Sequence, residues 1–174
     1  FRDSSVFITG GTGLIGQTVI NSLLYANRIR KLGIRITALV RSREKAEHLF
    51  SSQLSESNAL SFIDGSVEDL PALPRFDFMI HGASPTQSRY FVTNPVETIK
   101  AAVGGTMNML SAAAEMKLSG FAYLSSMEVY GTPLSDERIH ETYPCNIDLS
   151  LPRNSYPESK RLCESLCASY AAEY

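Results

Sequence analysis

The chain has 174 residues, 44% hydrophobic and 20% charged, with a formal net charge of -2. That length supports one domain with a full hydrophobic core. The near-balanced charge gives no global basic field for nucleic acid or an anionic membrane, and no apolar run approaches the roughly 18 residues of a membrane span.

Strands and helices are predicted to alternate from the first residues onward. Ser5–Thr9 is a short apolar strand running into glycines, and Leu14 to Tyr25 is a helix. Ile34 to Val40 is a second strand, followed by a polar helix from about Arg43 to Phe50. Leu60 to Ile63 and Phe76 to Ile80 are the third and fourth strands. Pro95, at the favoured first-turn position, opens a long helix to about Lys117. Phe121 to Leu124 is a fifth strand, and a last helix runs from near Ser155 to the end. Short apolar strands between helices argue for a parallel sheet covered on both faces. Right-handed crossovers then give a doubly wound α/β fold of order 3-2-1-4-5. The long connections Gly82–Asn94 and Tyr130–Asn154 follow the carboxyl ends of strands, where open α/β sheets bind ligands.

The phosphate-loop pattern lies between the first strand and first helix, as Thr9-Gly10-Gly11-Thr12-Gly13-Leu14-Ile15-Gly16. Gly10 permits the tight turn, Gly13 lets backbone approach a pyrophosphate, and Gly16 lets the helix pack close to the sheet. The backbone of Thr12, Leu14 and Ile15 then offers N–H groups and a positive dipole end to phosphates. The second strand ends Val40-Arg41-Ser42-Arg43, without the acidic residue that bonds a ribose 2′-hydroxyl. Arg41 therefore favours NADP, with Ser42 or Arg43 as helpers, and NAD is the alternative. Tyr156 and Lys160 lie four apart, on one helical face. A lysine ammonium beside a phenol favours the phenolate, which makes Tyr156 the expected general base. Lys160 can also hold the nicotinamide ribose.

The TGxxGxxG spacing resembles that of the short-chain dehydrogenase/reductase superfamily, in its extended branch, the NAD-dependent epimerase/dehydratase family. Ser125-Ser126-Met127-Glu128-Val129-Tyr130-Gly131 is similar to the SS-x-E-V-Y-G run of its nucleotide-sugar enzymes. The resemblance implies that Ser126 anchors the reacting hydroxyl and that Glu128 works near sugar C5. It places Asp64, Gly65, Ser66 and Val67 at the adenine, with Ser66 where an aspartate is expected. It places His81, Gly82 and Ala83 at the cofactor ribose; His81 itself is expected to be structural, without an acid–base role. Ser84, Pro85, Ser126, Met127 and Glu128 would face substrate. Met127 replaces the aspartate that 4,6-dehydratases use as an acid, which counts against dehydration. His81-Gly82-Ala83-Ser84-Pro85 and Asn94-Pro95-Val96-Glu97-Thr98-Ile99-Lys100 look like the decarboxylase branch, although Ala102 stands where its asparagine is expected and Arg41 where it has an acid.

The implied function is NAD(P)-dependent modification of a nucleotide-linked sugar, beginning with oxidation at C4. Inversion, decarboxylation, dehydration and net reduction stay open as outcomes. An NADPH-dependent carbonyl reductase and a non-catalytic dinucleotide sensor or scaffold are the alternatives. Cys145, Cys163 and Cys167 contain no CxxC and suggest neither disulfides nor zinc; no metal is expected. Cys163 and Cys167 read as inert packing residues. No signal peptide is visible, so cytoplasm is the expected compartment. The chain starts at Phe1, ends inside an unfinished helix, and reads as the NAD(P)-binding piece, residues 1–174, of a longer protein whose substrate-binding domain lies elsewhere. A homodimer is expected through the 95–117 and 156–174 helices, as in similar enzymes.

Overall fold

A computed structural model describes all residues, 1–174. Five strands form one parallel sheet: β1 (Ser5–Thr9), β2 (Arg35–Val40), β3 (Leu60–Asp64), β4 (Phe78–His81) and β5 (Gly120–Tyr123), in the order β3-β2-β1-β4-β5. This is the expected order. Between the strands run α1 (Leu14–Arg30), α2 (Arg43–Leu49), α3 (Ser51–Glu56), α4 (Ser88–Thr93), α5 (Pro95–Ile99) and α6 (Gly105–Met116), and α7 (Ser155–Glu173) follows β5.

The chain divides into two compact units. The first comprises residues 1–83 and 108–124. Its sheet buries both faces, because side chains alternate along each strand. Val6 and Ile8 of β1 join Ile36, Ala38, Val40, Leu60 and Phe62 in one cluster, closed by Ile20 of α1 and by Ala46 and Phe50 around α2. Phe7, between Val6 and Ile8 in sequence, points the other way and packs with Leu39, Met79, Met109 and Ala113. The in-register pairs Val6↔Ile36 and Ile36↔Leu60 keep each set on its own face.

The second unit comprises residues 84–107 and 125–174. It is helical, and polar groups lie inside it: Thr98, Thr106, Ser159 and Lys160 are buried together with Phe91, Ala102, Val129, Tyr156 and Cys163. Its helix α7 packs against α5 and against a short 3-10 helix, Met127–Tyr130.

Several boundaries differ from expectation. Helix α1 runs on to Arg30, where Lys31 ends it in the left-handed conformation (φ 49°). Strand β4 begins at Phe78, since Asp77 instead spends its carboxylate on Ser5 N–H and Oγ, both at 2.7 Å. The 82–94 connection contains α4, whose buried Phe91 supplies the anchor. The 95–117 helix is interrupted by a π turn, Lys100–Gly104. There the Ala102 carbonyl accepts from the Thr106 hydroxyl (2.7 Å) and the Cys163 thiol (3.4 Å), so extra side-chain donors satisfy it where the regular ladder is broken.

Candidate functional site

The first unit carries the phosphate loop. Gly10 has φ 74°, and a Cβ there would lie 2.7 Å from the Gly82 backbone. A Cβ on Gly16 would fall 2.2 Å from the Gly10 carbonyl oxygen, so helix α1 can begin this close to the turn only with glycine there. A Cβ on Gly13 would meet only that same oxygen, at 3.3 Å. Gln17 Nε2 donates to the Thr12 carbonyl (2.9 Å) and braces the turn. No side chain caps α1, and Leu14 is 84% exposed at its start. An uncapped helix amino-terminus, reached through glycines and left open to solvent, fits the pyrophosphate of a dinucleotide.

The strand ends around it are occupied unequally. Arg43 binds the Asp64 carboxylate through Nε (2.8 Å) and Nη2 (2.7 Å), and its Nη2 also donates to the Phe62 carbonyl. Ser42 Oγ accepts from Lys45 N–H and caps α2, and Ser66 Oγ accepts from Asp69 N–H. Arg41 is exposed and engages no protein group, so its guanidinium, unlike that of Arg43, is available to a ligand. Gly65 follows Asp64 with φ 156°, and buried Val67 accepts from Asn108 through its carbonyl.

His81 is buried at the end of β4, with Nδ1 2.7 Å from Thr9 Oγ1. That hydroxyl also accepts from Gly82 and Ala83 N–H at 3.2 and 3.1 Å. The Thr9–His81 pair links β1 to β4, and Thr9 Oγ1 holds the 82–83 backbone.

The second unit carries the residues expected to handle protons. Tyr156 and Lys160, one turn apart on α7, are both buried, and Lys160 Nζ lies 5.9 Å from the Tyr156 ring centre. Burial pulls the lysine below its ordinary value, partly opposed by Cys163 and Glu164. The Tyr156 ring stacks on Phe91, centres 4.2 Å apart and planes at 4°. Ser126 caps the 3-10 helix by accepting from Glu128 N–H (3.2 Å). Its neighbour Ser125 donates to Glu164, one turn beyond Lys160. Glu128 forms a two-pronged pair with Arg153, at 2.7 and 3.0 Å. Met127 is 85% exposed, and Ser84 and Pro85 are half-buried. A cavity of about 360 Å³ is lined by Glu128, Arg153, Asn146, Asp148 and Pro157 among others. Cys163 is buried, and the half-buried Cys167 thiol is pushed up to about 11 by burial, which keeps it in the neutral thiol form.

Sequence reasoning missed Phe91, Arg153 and Glu164. Phe91 lies in a stretch read as loop. Arg153 stands 25 residues from Glu128, a separation without local periodicity. Glu164 could have been found: it continues the Tyr156–Lys160 face by a further four residues.

The profile of the NAD dependent epimerase/dehydratase family matches residues 6–174. UDP-glucuronic acid decarboxylase 1 of Arabidopsis thaliana is 32% identical over 165 residues, 95% of this chain and 36% of that protein. The chain thus spans about a third of that relative's length. Among solved structures, the UDP-N-acetylglucosamine 4-epimerase of Methanobrevibacter ruminantium superposes with TM-score 0.81 at 19% identity, over 100% of this chain and 52% of that one. The UDP-Glc/GlcNAc 4-epimerase of Campylobacter jejuni gives 0.79 at 22% identity, over 98% and 50%. These structures share the fold, and the match across residues 6–174 shows that the chain belongs to the NAD-dependent epimerase/dehydratase family.

Proposed function

We propose that the protein acts on a nucleotide-linked sugar, with a uronic acid as the sugar and decarboxylation as the outcome. The observation that carries this reading is the second unit's polar interior, which holds Tyr156 and Lys160 buried on one helical face. Residues 1–174 bind the cofactor and move protons, while the nucleotide and sugar are gripped largely by another part of the whole protein. The 32% identity to a UDP-glucuronic acid decarboxylase supports the choice of substrate.

A bound nicotinamide supplies a reversible hydride acceptor for C4. Tyr156 takes the proton of the C4 hydroxyl and later returns it, Lys160 holds the ribose and the phenolate's counter-charge, and Ser126 anchors the reacting oxygen. A ketone at C4 makes the C5 carboxylate labile, and Glu128 serves at C5. Exposed Met127 offers no acid for dehydration. Arg41, free of protein partners, favours NADP over NAD. Exposed Val96, Ile99, Met107 and Leu162 support a homodimer through the 95–117 and 156–174 helices.

The test uses the full-length protein. It is denatured, any released nucleotide is identified by mass spectrometry, and the native protein is incubated with UDP-glucuronate. Retained dinucleotide and a UDP-pentose product with loss of CO₂ are expected. An empty protein that consumes added NADPH and reduces its substrate would instead make it a reductase.

A further inference from the structure

We propose that Arg153 is a positioning residue that sets both Glu128 and the Tyr156 ring for the reaction. The inference rests on the reading above, in which those two groups act on substrate. Arg153 sits in a short 3-10 helix, Pro152–Asn154, immediately before α7. That turn is braced from its own loop. Asn154 Nδ2 donates to the Asp148 carbonyl at 2.8 Å, and the Asp148 carboxylate accepts from Ser150 N–H (2.9 Å) and Oγ (2.7 Å). These bonds hold the backbone under Arg153 without using its side chain.

The guanidinium makes two contacts with different parts of the unit. Nη1 and Nη2 hold the two Glu128 oxygens at 2.7 and 3.0 Å, which fixes the plane of the carboxylate as well as its place. Cζ lies 5.3 Å over the ring of Phe91, the ring stacked on Tyr156. One planar cation thus bears on the carboxylate that follows β5 and on the aromatic backing of the phenol. The bond to Glu128 raises the affinity of Arg153 for its proton against the opposing effect of burial, so the charge that does this persists at any working pH.

Magnitude separates positioning from support. The two side chains are 35% and 33% exposed, and a pair that open to solvent adds little to folding stability. Both line the 360 Å³ cavity, where orientation matters more than stability. Lysine cannot replace this geometry, since a point charge fixes neither the carboxylate plane nor a stacked ring.

The experiment compares wild type, R153Q and R153K in the full-length protein, reading kcat and KM with UDP-glucuronate, Tm, and the ¹⁹F line of 3-fluorotyrosine placed at position 156. The expected result is a kcat lowered more than tenfold in R153Q, with KM and Tm within about twofold and 2 °C of wild type. R153K should recover little of it, and the single narrow ¹⁹F line should broaden or split in R153Q. A wild-type kcat in R153Q overturns the proposal, as does a kcat loss that merely follows a fall in Tm and returns with R153K. If the wild-type protein turns over no UDP-glucuronate, the reading above falls; the ¹⁹F line then decides Arg153, and an unmoved line in R153Q overturns it.

Discussion

The two units solve different problems. The sheet unit has a hydrocarbon interior on both faces: Val6, Ile8, Ile36 and Phe62 on one side, Phe7, Leu39 and Met79 on the other. Each such side chain contributes roughly 1.5–3 kcal/mol by leaving water. The helical unit instead buries Thr98, Thr106, Tyr156, Ser159 and Lys160, groups whose desolvation opposes folding unless partners are supplied. The sheet unit's own buried polar groups, Ser4, Ser5, Thr9 and His81, lie at the strand ends and bond to nearby protein groups, which suits a platform, whereas polar groups held between helices suit chemistry. The phosphate loop belongs to the platform, and glycines build it.

The sharpest way to break this contrast is to remove chemistry without touching the platform. Tyr156→Phe keeps the stack on Phe91 and should lower kcat roughly 10²- to 10⁴-fold. Dinucleotide retention and Tm should hold; an unchanged kcat would leave the helical unit without its assigned role. Within the platform, Gly16→Ala and Gly13→Ala should part company. The first drives a Cβ into the Gly10 carbonyl and should cost about 1–3 kcal/mol in denaturant titration, together with nucleotide binding. The second meets far less obstruction, so it should fold normally and lose affinity only if a pyrophosphate lies against that backbone. Arg41→Ala should weaken NADP by tenfold or more in isothermal titration, about 1.5–3 kcal/mol, and leave NAD nearly unaffected. Equal losses for both would assign Arg41 to a shared part of the cofactor.

Smaller effects concern pH. Bonds from Ser5 hold the Asp77 carboxyl below its ordinary 3.8. Its stabilising contribution is therefore complete above that value and lost as pH falls through the lower folded one. Asp77→Asn should flatten the acid limb of stability against pH. Lys160 runs the other way: burial lowers it from 10.5, so its charged form opposes folding at neutral pH and the penalty is relieved as pH rises toward that value. Lys160→Met should keep or raise Tm while abolishing turnover, and a lower Tm would mean that the ammonium stabilises the helical unit.

Sequence by itself determined the sheet. Short apolar runs between helices and the glycine spacing are local patterns, and a parallel sheet with both faces covered follows from them with little freedom; even the order β3-β2-β1-β4-β5 obeyed the crossover rules. Tyr156 and Lys160 were legible for the same reason, since four residues on a helix is a local distance. Tertiary structure alone decided the rest. That Ser42 and Ser66 spend their hydroxyls on nearby backbone, that Arg43 is taken by Asp64 while Arg41 is left open, and that Arg153 reaches Glu128 are outcomes of competition among partners. Such competition is settled by geometry between residues far apart in the chain. A side chain's type states what it can bond, and only the folded surroundings select which partner it gets.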